Sequence, residues 1–226
     1  MWRRSSRSVP AGRRRRCGTA RAPSIAERPA GVPAVADRRG GIAGVVLAAG
    51  EGSRFAGPLH KLRAEFRGRP LVRWATDGAI EAALAAVYVV LGAEDLSDLL
   101  PPEVTIVMNH EWQRGQAWSL QAGVRTAELD GHAAVVVGVA DQPLVGAEAW
   151  RRVAAAPGPI VTAVYGARRR PPVKLDASVW PLLPLDGDEG ARQLMRRHPE
   201  MVREVACPGD PTDIDTLEDL RRRGRA

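Results

Sequence analysis

Leu47-Ala48-Ala49-Gly50-Glu51-Gly52-Ser53-Arg54-Phe55-Ala56-Gly57-Pro58-Leu59-His60-Lys61-Leu62 is the stretch on which the fold assignment turns. It continues the apolar run Ile42-Ala43-Gly44-Val45-Val46-Leu47, which reads as a buried strand. A buried strand that runs straight into a glycine-rich loop is the opening of a βα unit. Two common phosphate-binding templates do not fit. A dinucleotide fingerprint G-x-G-x-x-G is met by Gly50 and Gly52, but Phe55 stands at its third glycine. A P-loop is met by Gly52 and Gly57, but Pro58 and Leu59 follow where Lys and Ser or Thr belong. A plain strand-to-helix turn accounts for the glycines but not for Arg54 and Lys61 in the same loop. Exposed backbone N–H groups with two nearby cations suit a triphosphate.

Outward from this loop, apolar runs alternate with helical stretches. Strands are expected at 86–91, 104–108, 133–139, 160–164 and 202–206. Helices are expected at 70–83, 115–129, 147–155, 189–198 and 216–223. The segment 168–185 carries Pro171, Pro172, Pro181 and Pro184 and is expected to be irregular and partly extended. This order predicts an α/β fold: a Rossmann-like three-layer sandwich with a mainly parallel sheet covered on both faces. In such sheets ligands bind outside the carboxyl ends of the strands, so the residues just after strands carry the chemistry.

The chain has 226 residues and a formal net charge of +7, but the charge is unevenly placed. Residues 1–40 hold eleven Arg and two acidic residues, so the remainder is close to neutral and slightly acidic. A nucleic-acid-binding domain would carry its basic patch on the fold itself, which argues against that function. The first 40 residues have few large apolar side chains and are expected to be a disordered extension, or an upstream start that is not used. Arg3-Arg4 invites a twin-arginine export reading, but no apolar segment follows. A single domain is expected over 41–226. No apolar run reaches the roughly 18–20 residues that cross a bilayer. Two cysteines and four scattered histidines offer neither a disulfide scaffold nor a zinc spacing, and a cytoplasmic location is expected.

Four later segments follow strands or open helices. Asn109 through Gly123 reads N-H-E-W-Q-R-G-Q-A-W-S-L-Q-A-G. It is either a helix N-terminus whose N–H groups and small residues, Gly115 and Ser119, face a nucleotide, or an ordinary helix start with Trp112 and Trp118 packed in the core. Ala140-Asp141-Gln142-Pro143 closes a strand, so the Asp141 carboxylate points into the cleft; it lies too early to cap the next helix. In Gly187-Asp188-Glu189-Gly190-Ala191-Arg192, Asp188 is placed to cap a helix. In Asp213-Ile214-Asp215-Thr216-Leu217-Glu218-Asp219-Leu220, Thr216 to Asp219 forms a capping pattern.

Together these segments resemble the molybdenum cofactor nucleotidyltransferases, most of all their cytidylyltransferase branch. The first loop is similar to that family's L-A-A/G-G-x-G/S-x-R-M/F-G-x-x-K, with Lys61 as the signature lysine. Gly68-Arg69-Pro70-Leu71 resembles its G-x-P-L. The later segments resemble N-x-x-W-x-x-G-x-x-x-S-L-x-x-G, H-P-V, G-D-x-G-A-R and D-I/V-D-T-P-E-D-L, with Pro171 where His is common and Leu217 in place of Pro. The resemblance spans about residues 42–220.

The resemblance implies nucleotidyl transfer: a phosphate oxygen of an acceptor attacks the α-phosphate of an NTP and pyrophosphate leaves. It implies Mg²⁺, with Mn²⁺ as a substitute, held by Asp141 and Asp215. One or two carboxylates plus phosphate oxygens suffice for that ion. Arg54 and Lys61 would offset phosphate charge, while Leu47, Ala48, Ala49, Gly50, Gly52, Gly115 and Ser119 would border the nucleotide. Asp188 and Arg192 fall to the acceptor. The Ala-Ala-Gly form goes with CTP and the Ala-Gly-Gly form with GTP, so Ala49 implies CTP, with molybdopterin as acceptor and a molybdenum hydroxylase as recipient of the product. Two alternatives remain at this level: the same chemistry on a sugar phosphate or phospholactate-like acid, and a non-catalytic cofactor carrier.

Overall fold

The computed structural model describes residues 40–224, so the expectation for the Arg-rich start falls almost wholly outside the described residues. In chain order the strands are β1 (Ile42–Ala48), β2 (Glu65–Phe66), β3 (Arg69–Pro70), β4 (Val87–Leu91), β5 (Thr105–Met108), β6 (Ala134–Val139), β7 (Ile160–Tyr165), β8 (Arg168–Asp176) and β9 (Val202–Ala206). The helices are α1 (Leu71–Glu81), α2 (Gln116–Leu129), α3 (Ala147–Ala155), α4 (Ala191–Arg197) and α5 (Leu217–Gly224). Seven strands form one sheet in the order β5-β4-β1-β6-β8-β7-β9, and β2 and β3 make a separate small hairpin. Strands β5, β4, β1 and β6 run parallel, as do β7 and β9; β8 runs antiparallel between β6 and β7.

The sheet is buried on both faces because its central strands alternate nothing: β4 is buried at every position. Val46 and Ala48 of β1 point to one face with Leu71, Val72, Ala75 and Ala79 of α1 and Ala149, Trp150 and Val153 of α3. Ala43, Val45 and the following Ala49 point to the other, with Leu120, Val124 and Ala127 of α2 and Leu194 and Met195 of α4. This is the expected three-layer sandwich.

The structure corrects one expectation here. Of the segment 168–185, expected to be irregular and partly extended, residues 168–176 are a nine-residue strand inside the sheet, and only the remainder, with a 3-10 helix at Ala177–Leu182, lies outside it. The prolines are tolerated because the ladder jumps: Thr162 pairs with Val173 and Ala163 with Arg170, so Pro171 and Pro172 fall where the register shifts and no N–H is needed. Lys174, buried on β8, sends its ammonium to the carbonyls of Ala154 and Ala156 at the end of α3, where the helix leaves acceptors unpaired.

The register sets the site. Leu47 pairs with Val139 and Ala48 with Leu91, so β1, β4 and β6 end at one level. The loops that leave them, at Ala49, Gly92 and Ala140, therefore start side by side at the carboxyl edge of the sheet.

Candidate active site

The first loop is tied at both ends by His60, a residue that sequence reasoning passed over as one of four scattered histidines. Its Nδ1 accepts the Leu62 N–H at 3.3 Å, which leaves Nε2 as the protonated nitrogen, donating to the Gly50 carbonyl at 3.0 Å. Gly52 lies between them in the left-handed region at φ +67, and a Cβ there would sit 3.0 Å from Lys61 Cβ. The loop thus folds back on itself and presents Lys61 at the start of a 3-10 turn, Lys61–Arg63.

Lys61 Nζ donates to Asp141 Oδ2 at 2.7 Å and to Asp215 Oδ1 at 3.3 Å, with its side chain 11% exposed. Arg54 Nη1 lies 3.0 Å from the other oxygen of Asp215. Four residues read from three separate motifs therefore form one charge cluster. Asp141 reaches it because the Ala140 N–H continues β6 onto the Leu47 carbonyl at 3.0 Å. Asp215 reaches it because the Ile214 N–H donates to the Asp141 carbonyl at 2.9 Å. Thr216 and Asp219 then close the expected capping box: the Thr216 hydroxyl accepts the Asp219 N–H, and the Asp219 carboxylate accepts the Thr216 N–H, each at 3.1 Å.

Two clefts meet at this cluster. The first, of about 340 Å³, is lined by Leu47, Ala48, Ala49, Gly50 and Gly52 on one side and by Gly115, Gln116 and Ser119 on the other, with Lys61 and Asp141 at its end. It gathers every residue assigned to the nucleotide. The second, of about 420 Å³, holds Arg54, Arg169, Arg170 and Arg192 over an apolar floor of Leu120, Val137, Val173 and Met195. Leu47, Gln116, Val139 and Asp141 line both. Arg170 and Arg192 form no ion pair among the described residues, although Asp213 and Glu189 line the same cleft and feel their charges.

Some placements differ from the sequence reading. Asp188 does not cap α4: that helix starts at Ala191, with Gly190 as its cap, and makes no side-chain cap bond. Nor does Asp188 join Arg192 in the second cleft; it lines the first, against Gly115. The start of α2 is partly spent, since the Ala117 N–H donates to the Gly187 carbonyl at 2.9 Å. Ser119 is buried and its Oγ accepts from Asn109 Nδ2 at 2.9 Å. Trp112 lines the first cleft beside Ala49 instead of lying wholly in the core. Trp118 is half-buried, with the Arg114 guanidinium 3.8 Å from its ring centre.

Asp213, in the same acidic run as Asp215, is a further functional candidate. Asp213 lines the second cleft, and its Oδ1 accepts from the buried Gln142 Nε2 at 2.8 Å. Burial first, and the Asp141 charge second, raise its carboxyl above the usual range; the Gln142 bond and the Arg170 charge oppose this. Its position just before Asp215 in an acidic D-x-D run was the available signal.

The donor chemistry fits a hard divalent cation. Asp141 and Asp215 already converge on one cationic atom, and both are only a quarter exposed. No cluster of three or more His, Cys, Asp or Glu forms a protein-only metal cage among the described residues. Two carboxylates with phosphate oxygens and water completing the shell suit Mg²⁺ or Mn²⁺. No helix among the described residues is long and apolar enough to cross a membrane.

Comparison with known proteins gives the family and the fold. The family model of the MobA-like NTP transferase domain matches residues 44–202. The nicotine blue oxidoreductase of Paenarthrobacter nicotinovorans is 33% identical over 198 residues, covering 80% of this chain and 95% of that protein. The purine catabolism protein PucB of Bacillus subtilis is 28% identical, covering 78% of this chain and 92% of its own length. Rv0371c of Mycobacterium tuberculosis H37Rv superposes with a TM-score of 0.73 at 27% identity, over 83% of this chain and 99% of that structure; it has also been solved in complex with manganese. A nucleotidyl transferase of Methanothermobacter superposes with a TM-score of 0.71 at 27% identity, over 82% of this chain and 97% of that one.

Proposed function

This chain belongs to the MobA-like NTP transferase family, and from that premise we propose that it transfers CMP from CTP to a phosphate-bearing acceptor, molybdopterin, with release of pyrophosphate. The observation that carries the reading is the Lys61 ammonium between Asp141 and Asp215, at the seam of the two clefts.

In this reading the first cleft takes the NTP, with Ala49 bordering the base and the Gly50–Gly52 backbone near the phosphates. The second takes the acceptor, whose phosphate meets Arg170 and Arg192. An oxygen of that phosphate attacks the α-phosphorus, and the bond to the bridging oxygen of the pyrophosphate breaks. The acceptor phosphate is already ionised, so no general base is required; the protein positions the two substrates and offsets charge. Asp141 and Asp215 would hold Mg²⁺, which supplies Lewis-acid polarisation of the phosphates. Lys61 and Arg54, on one loop, offset charge on the phosphates and the leaving pyrophosphate. The reaction takes place in the cytoplasm and the product passes to a molybdenum hydroxylase.

The relative named as an oxidoreductase supports a second reading, a redox enzyme. Against it stand Phe55 in place of the third glycine of a dinucleotide fingerprint, and a site whose facing groups are cations and carboxylates. One assay separates the readings. The full chain is incubated with Mg²⁺ and molybdopterin and with CTP, GTP, ATP or UTP, and pyrophosphate is measured; parallel samples hold NADH or NADPH with a quinone as the two-electron acceptor. Pyrophosphate from CTP that requires molybdopterin is the expected result. Release with GTP keeps the chemistry and overturns the role given to Ala49. Oxidation of the nicotinamide without pyrophosphate from any NTP overturns the transferase reading.

A further inference from the structure

We propose that Gln142 and Asp213 are positioning residues that set the distance between the Asp141 and Asp215 carboxylates. Those two carboxylates come from places in the sequence more than seventy residues apart, yet both meet one ammonium. Something must hold the two segments in register, and the structure contains the fastening. The segment from Gly209 to Asp215 lies along Asp141 to Val145. At one end the Asp210 N–H donates to the Leu144 carbonyl at 3.3 Å, and at the other the Ile214 N–H donates to the Asp141 carbonyl at 2.9 Å. Between these backbone bonds, Gln142 Nε2 donates to Asp213 Oδ1 at 2.8 Å. Each of these two residues is the sequence neighbour, or next but one, of a carboxylate that faces the cation position.

The pair is built to be rigid. Gln142 is 3% exposed and Ile214, between Asp213 and Asp215, is fully buried in the core. A buried amide that lost its partner would leave a donor unpaired, so the bond resists opening. Asp213 itself is not joined to Lys61 and is not part of a three-ligand cluster. It lines the second cleft beside the carboxylate pair, and it acts through Gln142 and through the turn that carries Asp215. Groups behind metal-facing ligands typically change cation affinity about 10–100-fold when removed.

The inference rests on the proposed transferase reading for its activity measurement only. The test uses the full chain and three variants: Asp213→Asn, Asp213→Ala and Gln142→Met. Mn²⁺ affinity is measured by electron paramagnetic resonance, with and without CTP, alongside kcat and KM for CTP from pyrophosphate release. Asp213→Asn keeps an oxygen that accepts from Gln142, so its Mn²⁺ affinity should stay within about threefold of the parent. Asp213→Ala and Gln142→Met should each weaken Mn²⁺ binding by about tenfold and lower kcat by about as much, with KM for CTP nearly unchanged. If Asp213→Asn loses as much as Asp213→Ala, the charge itself is required and the positioning role is overturned. Unchanged Mn²⁺ affinity in all three variants overturns it as well. If Asp213→Ala does not fold, Gln142→Met decides alone. A parent chain that binds Mn²⁺ with the expected ladder of affinities but releases no pyrophosphate overturns the transferase reading and leaves the positioning role standing. A parent that binds no Mn²⁺ overturns both.

Discussion

Lys61 Nζ lies 2.7 Å from Asp141 Oδ2, eighty residues away in the chain, and the same nitrogen touches Asp215 at 3.3 Å. This lysine offsets the charge of two carboxylates that the backbone holds close together. Lys61→Met should therefore destabilise the protein by about 1–2 kcal/mol, because it leaves Asp141 without its cation and Arg54 alone on the neighbouring Asp215. Mg²⁺ or Mn²⁺ should then raise the melting temperature of the variant more than that of the parent. Thermal melts with and without the ion check this, and equal shifts would show that the carboxylates do not share a cation position. Turnover of the variant should fall by roughly 10²-fold.

The Ala49 methyl packs over Gly92, next to Trp112, at the wall of the first cleft. A Cβ on Gly92 would lie 2.7 Å from Trp112 Cβ and 2.8 Å from Ala49 Cβ. Gly92→Ala should cost about 1–3 kcal/mol by overpacking and shift both neighbours. Ala49→Gly instead opens the wall, and should move the CTP-to-GTP ratio of kcat/KM about tenfold toward GTP. Steady-state kinetics with both nucleotides measure the change, and an unaltered ratio would remove Ala49 from base selection.

Arg170 and Arg192 face the second cleft without an ion-pair partner among the described residues. Arg192→Gln and Arg170→Gln should each raise KM for the acceptor about tenfold, since a charge-assisted bond to phosphate is lost. KM for CTP should hold within about twofold. Equal rises in both constants would place these arginines on the nucleotide instead.

Lys174 is the buried cation outside the site, and burial lowers its pKa below the ordinary lysine value of 10.5. The sign follows from the unfolded chain, which keeps the proton at higher pH than the folded one. The cost of holding Lys174 charged is fully present below its folded pKa and is relieved as the pH rises through that value toward 10.5. Stability of the parent relative to Lys174→Met should therefore rise across that window. Urea unfolding midpoints at a series of pH values test it, and parallel curves would show a lysine that titrates normally.

Much of this was readable in the residues. The apolar runs that became β1, β4, β6 and β7 carry their own signal, since a strand buried on both faces has no other composition open to it. The glycine-rich loop after β1 announced Arg54 and Lys61, and the strand end announced Asp141. The strand at 168–176 was not readable: its prolines speak against a ladder, and only the register jump beside them makes room. His60 and Gln142 were not readable as parts of the site either. Each acts through one hydrogen bond to a neighbouring segment, and such a bond leaves no pattern of spacing.

By itself, then, the sequence determined the layers, the order of the elements and the residue types available at the carboxyl ends of the strands, because periodicity, glycine and buried apolar runs act locally. Tertiary structure alone decided which of those residues meet. Leu47 opposite Val139 brings the first loop to Asp141. The Ile214 N–H on the Asp141 carbonyl brings in Asp215. Asp188 fell in the first cleft and Arg192 in the second, and α4 begins two residues later than its capping pattern suggested. Contacts of this kind depend on sheet register and on where a returning segment is fastened, and those are properties of the packed chain rather than of any window within it.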